Sequence, residues 1–259
     1  MILARITNAI RTQNWFAVVL EFVIVIAGVV IGFQVTGWAA RQADTERAAQ
    51  YLERLIADME ENQQRFDDAR EFRSEVRDIG LEALAYANGS LEPPDSWRVV
   101  VAYFNASQSG GAELVDATYR EMVATGDLRL LTDLELRGRL SAYHSNFGYS
   151  QITDELPAYR EDVRALIPIA IQTYIWENCY ESVTGRTQRL HDCPPPDIES
   201  DALPGLALQL MQDEVLNGRL RYWASTQFAA LSIHQSQIET TNEMLEQLRQ
   251  ARGTRGSTP

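Results

Sequence analysis

Hydrophobic residues are concentrated near the amino terminus, in the segment Trp15–Trp38. Its sequence is WFAVVLEFVIVIAGVVIGFQVTGW, a run of 24 residues that is apolar almost throughout. A helix rises ~1.5 Å per residue, so this run is ~35 Å long and can cross a hydrocarbon core of ~30 Å. Tryptophans at both ends are typical of the two membrane interfaces. The pattern predicts a transmembrane helix over residues 15–38, with the lipid bilayer as its partner.

The helical pattern continues beyond the apolar run. From Ala39 to about Ala87, apolar residues recur at helical spacing opposite a face rich in Glu, Asp and Arg, and there is no proline. We therefore expect the membrane helix to run directly into a water-exposed helix that ends at Asn88-Gly89-Ser90. The last predicted helix extends from Gly205 to about Arg252. It has a coiled-coil-like apolar seam interrupted by Gln227, His234 and Thr241, which predicts a buried polar layer that fixes helix register.

Shorter helices are predicted between these two. Each has a local start or stop signal. They run from Trp97 to about Ala106 after a cap at Asp95 or Ser96, from Asp116 to Ala124 before Gly126, from a capping box at Thr132–Glu135 through Tyr143 and beyond, and from Ile169 to Cys179, with breaks at Pro157 and Pro168.

No stretch alternates between apolar and polar residues as a strand does, and Tyr180–Pro204 is predicted to be an irregular loop. The predicted fold is therefore all-α: a single N-terminal transmembrane helix that continues into an elongated antiparallel helical bundle. The predicted divisions are a short cytoplasmic or interfacial tail (1–14), the transmembrane helix (15–38), a helical extracytoplasmic domain (39–252) and a disordered tail (253–259).

Three residues inside the apolar run are candidates for a contact with another membrane helix. Gly28 and Gly32 form a GxxxG pattern, which lets two helices approach closely. Glu21 lies seven residues before Gly28, on nearly the same face, and a carboxyl group at that depth requires a partner or a proton. A face that only contacts lipid is the alternative, because GxxxG is common by chance and Glu21 is near enough to the membrane surface to reach it.

Cys179 and Cys193 form an even pair, 14 positions apart, in a segment that contains Pro194-Pro195-Pro196. This spacing favours a disulfide-closed loop, worth ~3 kcal/mol in the chain-entropy model. A metal site with His191 and Asp192 is the alternative. Arg5 and Arg11 precede the membrane helix and Arg41 and Arg47 follow it, so the positive-inside rule hardly distinguishes the two orientations. The cysteine pair suits an oxidising compartment, so we expect the tail in the cytoplasm and the main domain in the periplasm, anchored in a bacterial inner membrane. A cleaved signal peptide is the competing interpretation, but the apolar run is long for one and contains Glu21.

The charge and the basic residues exclude several functions. The chain has 36 acidic and 23 basic residues, for a net charge of −13. Such a charge repels nucleic acid, so no nucleic-acid partner is expected. There is no lysine, which excludes Schiff-base chemistry and a lysine-bearing phosphate loop. The three histidines, His144, His191 and His234, belong to no recognised catalytic or metal motif. We therefore predict no catalytic residues, no cofactor and no metal, and a protein that is not an enzyme.

The segments NWFAVVLEFVIVIAGVVIGFQV at 14–35, YLERLIADMEEN at 51–62 and TYREMVATGDLRLLTDLELRGRLSAYH at 118–144 resemble a family of bacterial membrane-anchored helical proteins of unknown function. The resemblance implies one N-terminal membrane helix and a helical domain, and it carries no catalytic residues. It covers roughly the first quarter and the middle of the chain.

Two functions fit these expectations. The first is a membrane-anchored protein-interaction or scaffold module that binds a second copy of itself or another membrane protein. The second is a ligand-sensing helical bundle that signals through a partner, because the tail before the membrane helix is too short to be an output domain. An exposed apolar patch would favour the first function, and a site lined by Arg and Tyr would favour the second.

Overall fold

The computed structural model describes residues 15–146, 156–182, 188–197 and 202–256, and these residues are predominantly α-helical. The predicted all-α fold is confirmed. The helices are α1 (Trp15–Ala87), α2 (Ser96–Asn105), α3 (Ala117–Thr125), a 3-10 helix (Asp127–Leu130), α4 (Leu134–Asn146), α5 (Ala158–Leu166), α6 (Ile169–Asn178), α7 (Ala202–Gln212) and α8 (Glu214–Gly256).

Helix α1 contains both the predicted membrane segment and the helix predicted after it, as expected from the absence of proline. It ends where the sequence predicts, because Gly89 has a φ of +74° and allows the amides of Ser90 and Leu91 to turn back to the carbonyl of Ala85. The chain divides into two compact units, residues 1–51 and residues 52–259. The predicted tail at 1–14 lies outside the described residues, as do 257–259.

In the second unit, the part of α1 after residue 51 packs antiparallel to α8. Arg249 pairs with Glu60, the amide of Gln63 donates to Asn242 (2.7 Å), and Arg73 donates to Gln227 (3.0 Å). As the residue number rises on α1, the number of its partner falls on α8, which defines the antiparallel pairing. The three polar seam residues of α8, Gln227, His234 and Thr241, are all buried, as the seam pattern predicts.

Helix α2 is the centre of the core. Every residue from Val99 to Gln108 is almost completely buried, and α5, α6, α7 and α8 contribute side chains to the same hydrophobic cluster. Asp95 caps the start of α2 by accepting from the amide of Arg98 (2.7 Å), so Asp95 rather than Ser96 is the cap. The indole of Trp223 donates to the carbonyl of Ala106 (2.9 Å) and thereby ties α8 to the end of α2.

The helices α3 and α4 pack at another part of the α1–α8 pair. The side chain of Asn62 on α1 donates to the backbone carbonyl of Val115 and accepts from its backbone N–H. Asp58 accepts from the backbone N–H of Thr118 at the start of α3. On the other side, the hydroxyls of Tyr143 on α4 and Thr241 on α8 lie 2.9 Å apart in the core. The connection between α2 and α3 is therefore fixed by polar side chains of α1 and needs no secondary structure of its own.

Local sequence signals predict most helix ends correctly. Pro157 and Pro168 directly precede α5 and α6, and Gly126 ends α3 with a φ of +75°. The predicted cap of α4 is wrong. The sequence predicts a capping box that starts at Thr132, but Asp133 accepts from the amides of Glu135 and Leu136 instead. An aspartate is as good a cap as a threonine, so the start of the helix shifts by one residue.

The predicted last helix is in fact two helices, α7 and α8, and the break lies at Asp213. Asp213 caps α8 by accepting from the amide of Leu216 (2.9 Å). The side-chain amide of Asn217 donates to the backbone carbonyls of Leu210, Met211 and Asp213. In a continuous helix these carbonyls would accept from backbone N–H groups of the next turn. At its other end, α8 reaches Gly256, beyond the predicted end at about Arg252.

The prediction of no strand is wrong. Tyr180–Ser182 (β1) and Gln188–Leu190 (β2) form a two-stranded antiparallel hairpin, with Tyr180 opposite Leu190. Each strand has only three residues, which is too short for an alternation to be recognised. The residues predicted as one irregular loop are thus partly ordered by pairing with each other.

Asn217 should be among the most important polar residues for stability. Its amide satisfies three carbonyls, and its oxygen accepts from the buried hydroxyl of Tyr103 (2.6 Å). We expect Asn217→Ala to lower the free energy of unfolding by about 2–3 kcal/mol, since buried groups lose their partners. Tyr103→Phe removes only the hydroxyl and should cost about 1 kcal/mol. Urea denaturation measures both, and an Asn217→Ala loss no larger than that of Tyr103→Phe would contradict this role.

Candidate functional site

The apolar side chains in the predicted membrane segment of α1 are not covered by other described residues. Of the described part of the chain, this is the one helix long and apolar enough to cross a membrane, and none of its apolar window is buried. Glu21 is exposed, and a side chain added at Gly28 or Gly32 would meet nothing within 4 Å. The hydroxyl of Thr36 donates to the carbonyl of Gly32 (2.9 Å), which satisfies it inside an apolar segment.

Cys179 and Cys193 are joined by a disulfide, with their Cα atoms 5.1 Å apart. The bridge closes the hairpin, and the amide of His191 donates to the carbonyl of Cys179 (3.1 Å). The indole of Trp97 donates to the carbonyl of Cys193 (2.9 Å), so the bridged segment is attached to the start of α2. Because both sulfurs are in the bridge, neither is a free thiolate for a metal.

An ion-pair network holds the same segment to α1. Arg98 on α2 forms a two-pronged pair with Glu82 on α1 (2.6 and 2.8 Å) and also contacts Asp192, next to Cys193. Burial raises the pKa of Glu82, but hydrogen bonds from Arg98 and Tyr86 outweigh this effect and leave the pKa below its ordinary value. The network therefore stabilises the ionised carboxylate and contributes to stability at neutral pH.

The three histidines differ in their burial and in the residues that they contact. His144 stacks on Tyr119 with ring centroids 4.1 Å apart and meets the edge of Tyr143 at 5.2 Å. Burial lowers the pKa of His144 to about 4 against the opposing effect of Asp116 and Asp58, so the ring is neutral at pH 7. His234 bonds to Gln237 within the buried seam (2.8 Å), whereas His191 is exposed. Among the described residues, no group of histidine, cysteine and acidic side chains could hold a metal ion.

An apolar groove lies between the start of α5 and the first turns of α8. It has a volume of about 760 Å³, and its exposed apolar lining includes Val215 (68% exposed) and Tyr222 (77% exposed). Arg219, which pairs with Asp162 of α5, lies between these two residues on α8. This groove could not be predicted from the sequence, because Val215 and Tyr222 look there like residues of the apolar seam of α8.

Two arginines on α5 form a second feature that the sequence analysis missed. Arg160 donates to the carbonyl of Ser107 (2.9 Å) and to Oε1 of Gln108 (3.2 Å), both just after α2. Arg164 donates to the hydroxyl of Ser107 and to the same Oε1 of Gln108, each at 3.2 Å. We call these four residues the arginine cluster. Neither arginine forms an ion pair with a carboxylate anywhere in the described ranges, although the chain has 36 acidic residues and only 23 basic ones.

Removing the disulfide should destabilise the second unit. We expect Cys179→Ser with Cys193→Ser to lower the free energy of unfolding by about 3 kcal/mol, because the reduced unfolded chain gains the freedom of the open loop. Thermal denaturation with and without a reductant measures this effect. A reductant should lower the melting temperature of the wild type and leave the double variant unchanged, so an unchanged wild type would contradict the bridge.

No family model, no curated protein and no solved structure matches this chain. The resemblance to bacterial membrane-anchored helical proteins, based on residues 14–35, 51–62 and 118–144, therefore stays a prediction. What the chain does must be inferred from its own residues, that is, from the uncovered helix α1, the apolar groove and the arginine cluster.

Proposed function

We propose that this chain is a membrane-anchored helical protein whose water-soluble unit is a protein-interaction module. The observation that carries the proposal is the uncovered apolar segment of α1. Fifteen large hydrophobic side chains between Phe16 and Trp38 are exposed in the described residues. Burying each one gains about 1.5–3 kcal/mol, so leaving all of them in water would cost on the order of 20–45 kcal/mol. Lipid covers such a surface around its whole circumference.

The proposed location is a bacterial inner membrane, with the tail in the cytoplasm and the soluble unit in the periplasm. Arg5 and Arg11 before the apolar segment are matched by Arg41 and Arg47 after it, so the positive-inside rule favours this orientation only through the amino terminus itself. The bridge between Cys179 and Cys193 supports an oxidising compartment for the soluble unit. The proposed orientation therefore rests mainly on the disulfide.

Anchoring is tested by extraction of native membranes with alkaline carbonate, which removes peripheral proteins. We expect the full chain to remain in the membrane pellet and to keep its amino-terminal residues. A variant with Val25→Arg and Val29→Arg has two charges at the centre of the apolar segment, costing about 2.5–3.5 kcal/mol each, and should be partly released. Recovery of the wild type in the supernatant would overturn the proposal, and loss of residues before Ala39 would identify a cleaved signal peptide.

The partner we propose is a second copy of the chain. Gly28 and Gly32 leave one face of α1 free of side chains, which allows the backbones of two helices to approach. The apolar groove adds a surface on the soluble unit, since exposed Tyr222 and Val215 are of the residue classes that form the core of protein interfaces. If the glycine face and the apolar groove both bind a second copy of the chain, no other protein is needed to explain these two surfaces.

Self-association is tested by substitution on the glycine face. Gly28→Ile should shift the full chain in detergent from dimer towards monomer, because the added side chain separates the two backbones. Gly37→Ile is the matched control: Gly37 lies nine residues later, two and a half turns on, and so on the opposite face. Analytical ultracentrifugation measures the ratio. A monomeric wild type, or equal effects of the two variants, would count against the second copy and leave another membrane protein as the partner.

A ligand-sensing bundle that signals through a partner is the second candidate function. The arginine cluster favours it, because neither arginine has a carboxylate partner among the described residues and Arg164 lies over the ring of Trp176, which contacts Tyr180. The prediction that the chain is not an enzyme stays a prediction.

A further inference from the structure

Arg160 and Arg164 bring two positive charges together on one face of α5. They lie four residues apart, so their side chains are neighbours, and like charges at this spacing repel each other. Both are partly buried, and no described carboxylate pairs with either of them. In contrast, Arg98 and Arg219 each bind an acidic side chain. The fold thus places two partly buried positive charges side by side, without an ion pair in the described ranges, although the chain has a net charge of −13.

The contacts that the two arginines make do not use up their donors. Arg160 and Arg164 make two hydrogen bonds each, to Ser107 and Gln108. A guanidinium has five N–H donors and no acceptor, so four bonds leave at least six of the ten donors of the pair without a described acceptor. The pair therefore has the capacity to bind an acceptor-rich group.

Gln108 adds a further donor at the same place. Its side chain is 1% exposed, and its Oε1 accepts from both arginines. Its Nε2, bonded to the same carbon atom, is buried and has no hydrogen-bond partner in the part of the chain that the structure describes. A buried donor without a partner costs about 1–3 kcal/mol, so a ligand that accepts from Nε2 gains that free energy on binding.

Aromatic rings hold one guanidinium in position. The Cζ atom of Arg164 lies 4.7 Å from the ring centroid of Phe104 and 5.1 Å from that of Trp176. Burial, together with the neighbouring charge of Arg160, lowers the pKa of Arg164 to about 10, so the group stays protonated at neutral pH. The cluster is thus a pair of permanent charges, one of which is fixed by packing before any ligand arrives.

We propose that Arg160, Arg164 and Gln108 form a binding site for phosphate, either as the free ion or as the terminal group of a small phosphomonoester. Planar guanidinium groups match the oxygens of phosphate in pairs, and a doubly charged ion neutralises both arginines. The site contributes several N–H donors, which suits an ion whose oxygens accept hydrogen bonds. This inference goes beyond the proposed interaction module and does not depend on self-association.

The main structural alternative is that the arginines only cap α2. The carbonyl of Ser107 lies just beyond the end of that helix, where a positive charge is favourable by about 0.3–1 kcal/mol. A cap accounts for the bond from Arg160 to Ser107. It does not account for the second cation, Arg164, or for the buried Nε2 of Gln108. The two interpretations differ in what the cluster does with added phosphate.

Isothermal titration of the full chain in neutral detergent with inorganic phosphate, at constant ionic strength, tests the site. We expect one phosphate per chain, and at least tenfold weaker binding in Arg160→Gln and in Arg164→Gln. Arg221→Gln is the matched control, because Arg221 is exposed on α8 and its loss changes the net charge equally. Glycerol phosphate in place of phosphate separates the two sources: equal binding assigns monoesters, and binding of phosphate alone assigns the free ion.

Gln108→Glu distinguishes a binding site from a cap without removing either arginine. The new carboxylate would lie beside both guanidinium groups and supply an internal counter-ion, so it should raise the melting temperature and abolish phosphate binding. Far-ultraviolet circular dichroism checks that each variant is folded. A wild type that binds no phosphate, or a Gln108→Glu variant that binds it as tightly as the wild type, would overturn the proposal and leave the arginines as a helix cap.

Discussion

The burial of α2 from Val99 to its carboxyl end is the constraint on which the second unit depends. A helix that is buried at its carboxyl end leaves backbone carbonyls without intrahelical partners, and water does not reach them. Side chains from other helices supply the donors. Tyr159 of α5 donates to the carbonyl of Tyr103, Trp223 of α8 donates to that of Ala106, and Arg160 donates to that of Ser107. The need to satisfy one helix end thus fixes where α5 and α8 pack.

The same constraint explains why the arginine cluster exists at this place. Because α5 must bring Tyr159 to the end of α2, its next residue, Arg160, and the residue one turn later, Arg164, come to the same region. A single guanidinium would be sufficient to bind the carbonyl of Ser107. The second one adds charge, and burial of Gln108 beside it adds a donor. Packing therefore creates an excess of hydrogen-bond donors that a purely structural role does not use.

Helix α1 combines two surfaces with opposite requirements. Its first part is apolar around the whole circumference and uncovered, as lipid solvation requires. After residue 51 it has one apolar stripe, and polar residues such as Asp58 and Asn62 bind backbone groups of the segment that leads into α3. Both parts have helical periodicity, but only the second has the charged face of a helix in water. One continuous helix therefore serves both purposes: its first part is suited to the proposed membrane anchoring, and its part after residue 51 belongs to the folded bundle.

The sequence alone determined features that depend on neighbouring residues or on a long pattern. These include the apolar segment 15–38, the breaks at Pro157 and Pro168, and the ends of α1 and α3 at Gly89 and Gly126, because backbone geometry and hydropathy act locally. The tertiary structure decided what depends on distant partners. The break at Asp213 requires Asn217 to reach the last carbonyls of α7, and the three-residue strands exist only as a pair. Likewise, Arg160 and Arg164 are spaced like any solvated charges on a helix, and only the fold brings them to Gln108. That no carboxylate in the described ranges pairs with them could not be predicted, because the counter-ions of a residue depend on the three-dimensional surroundings and not on the sequence next to it.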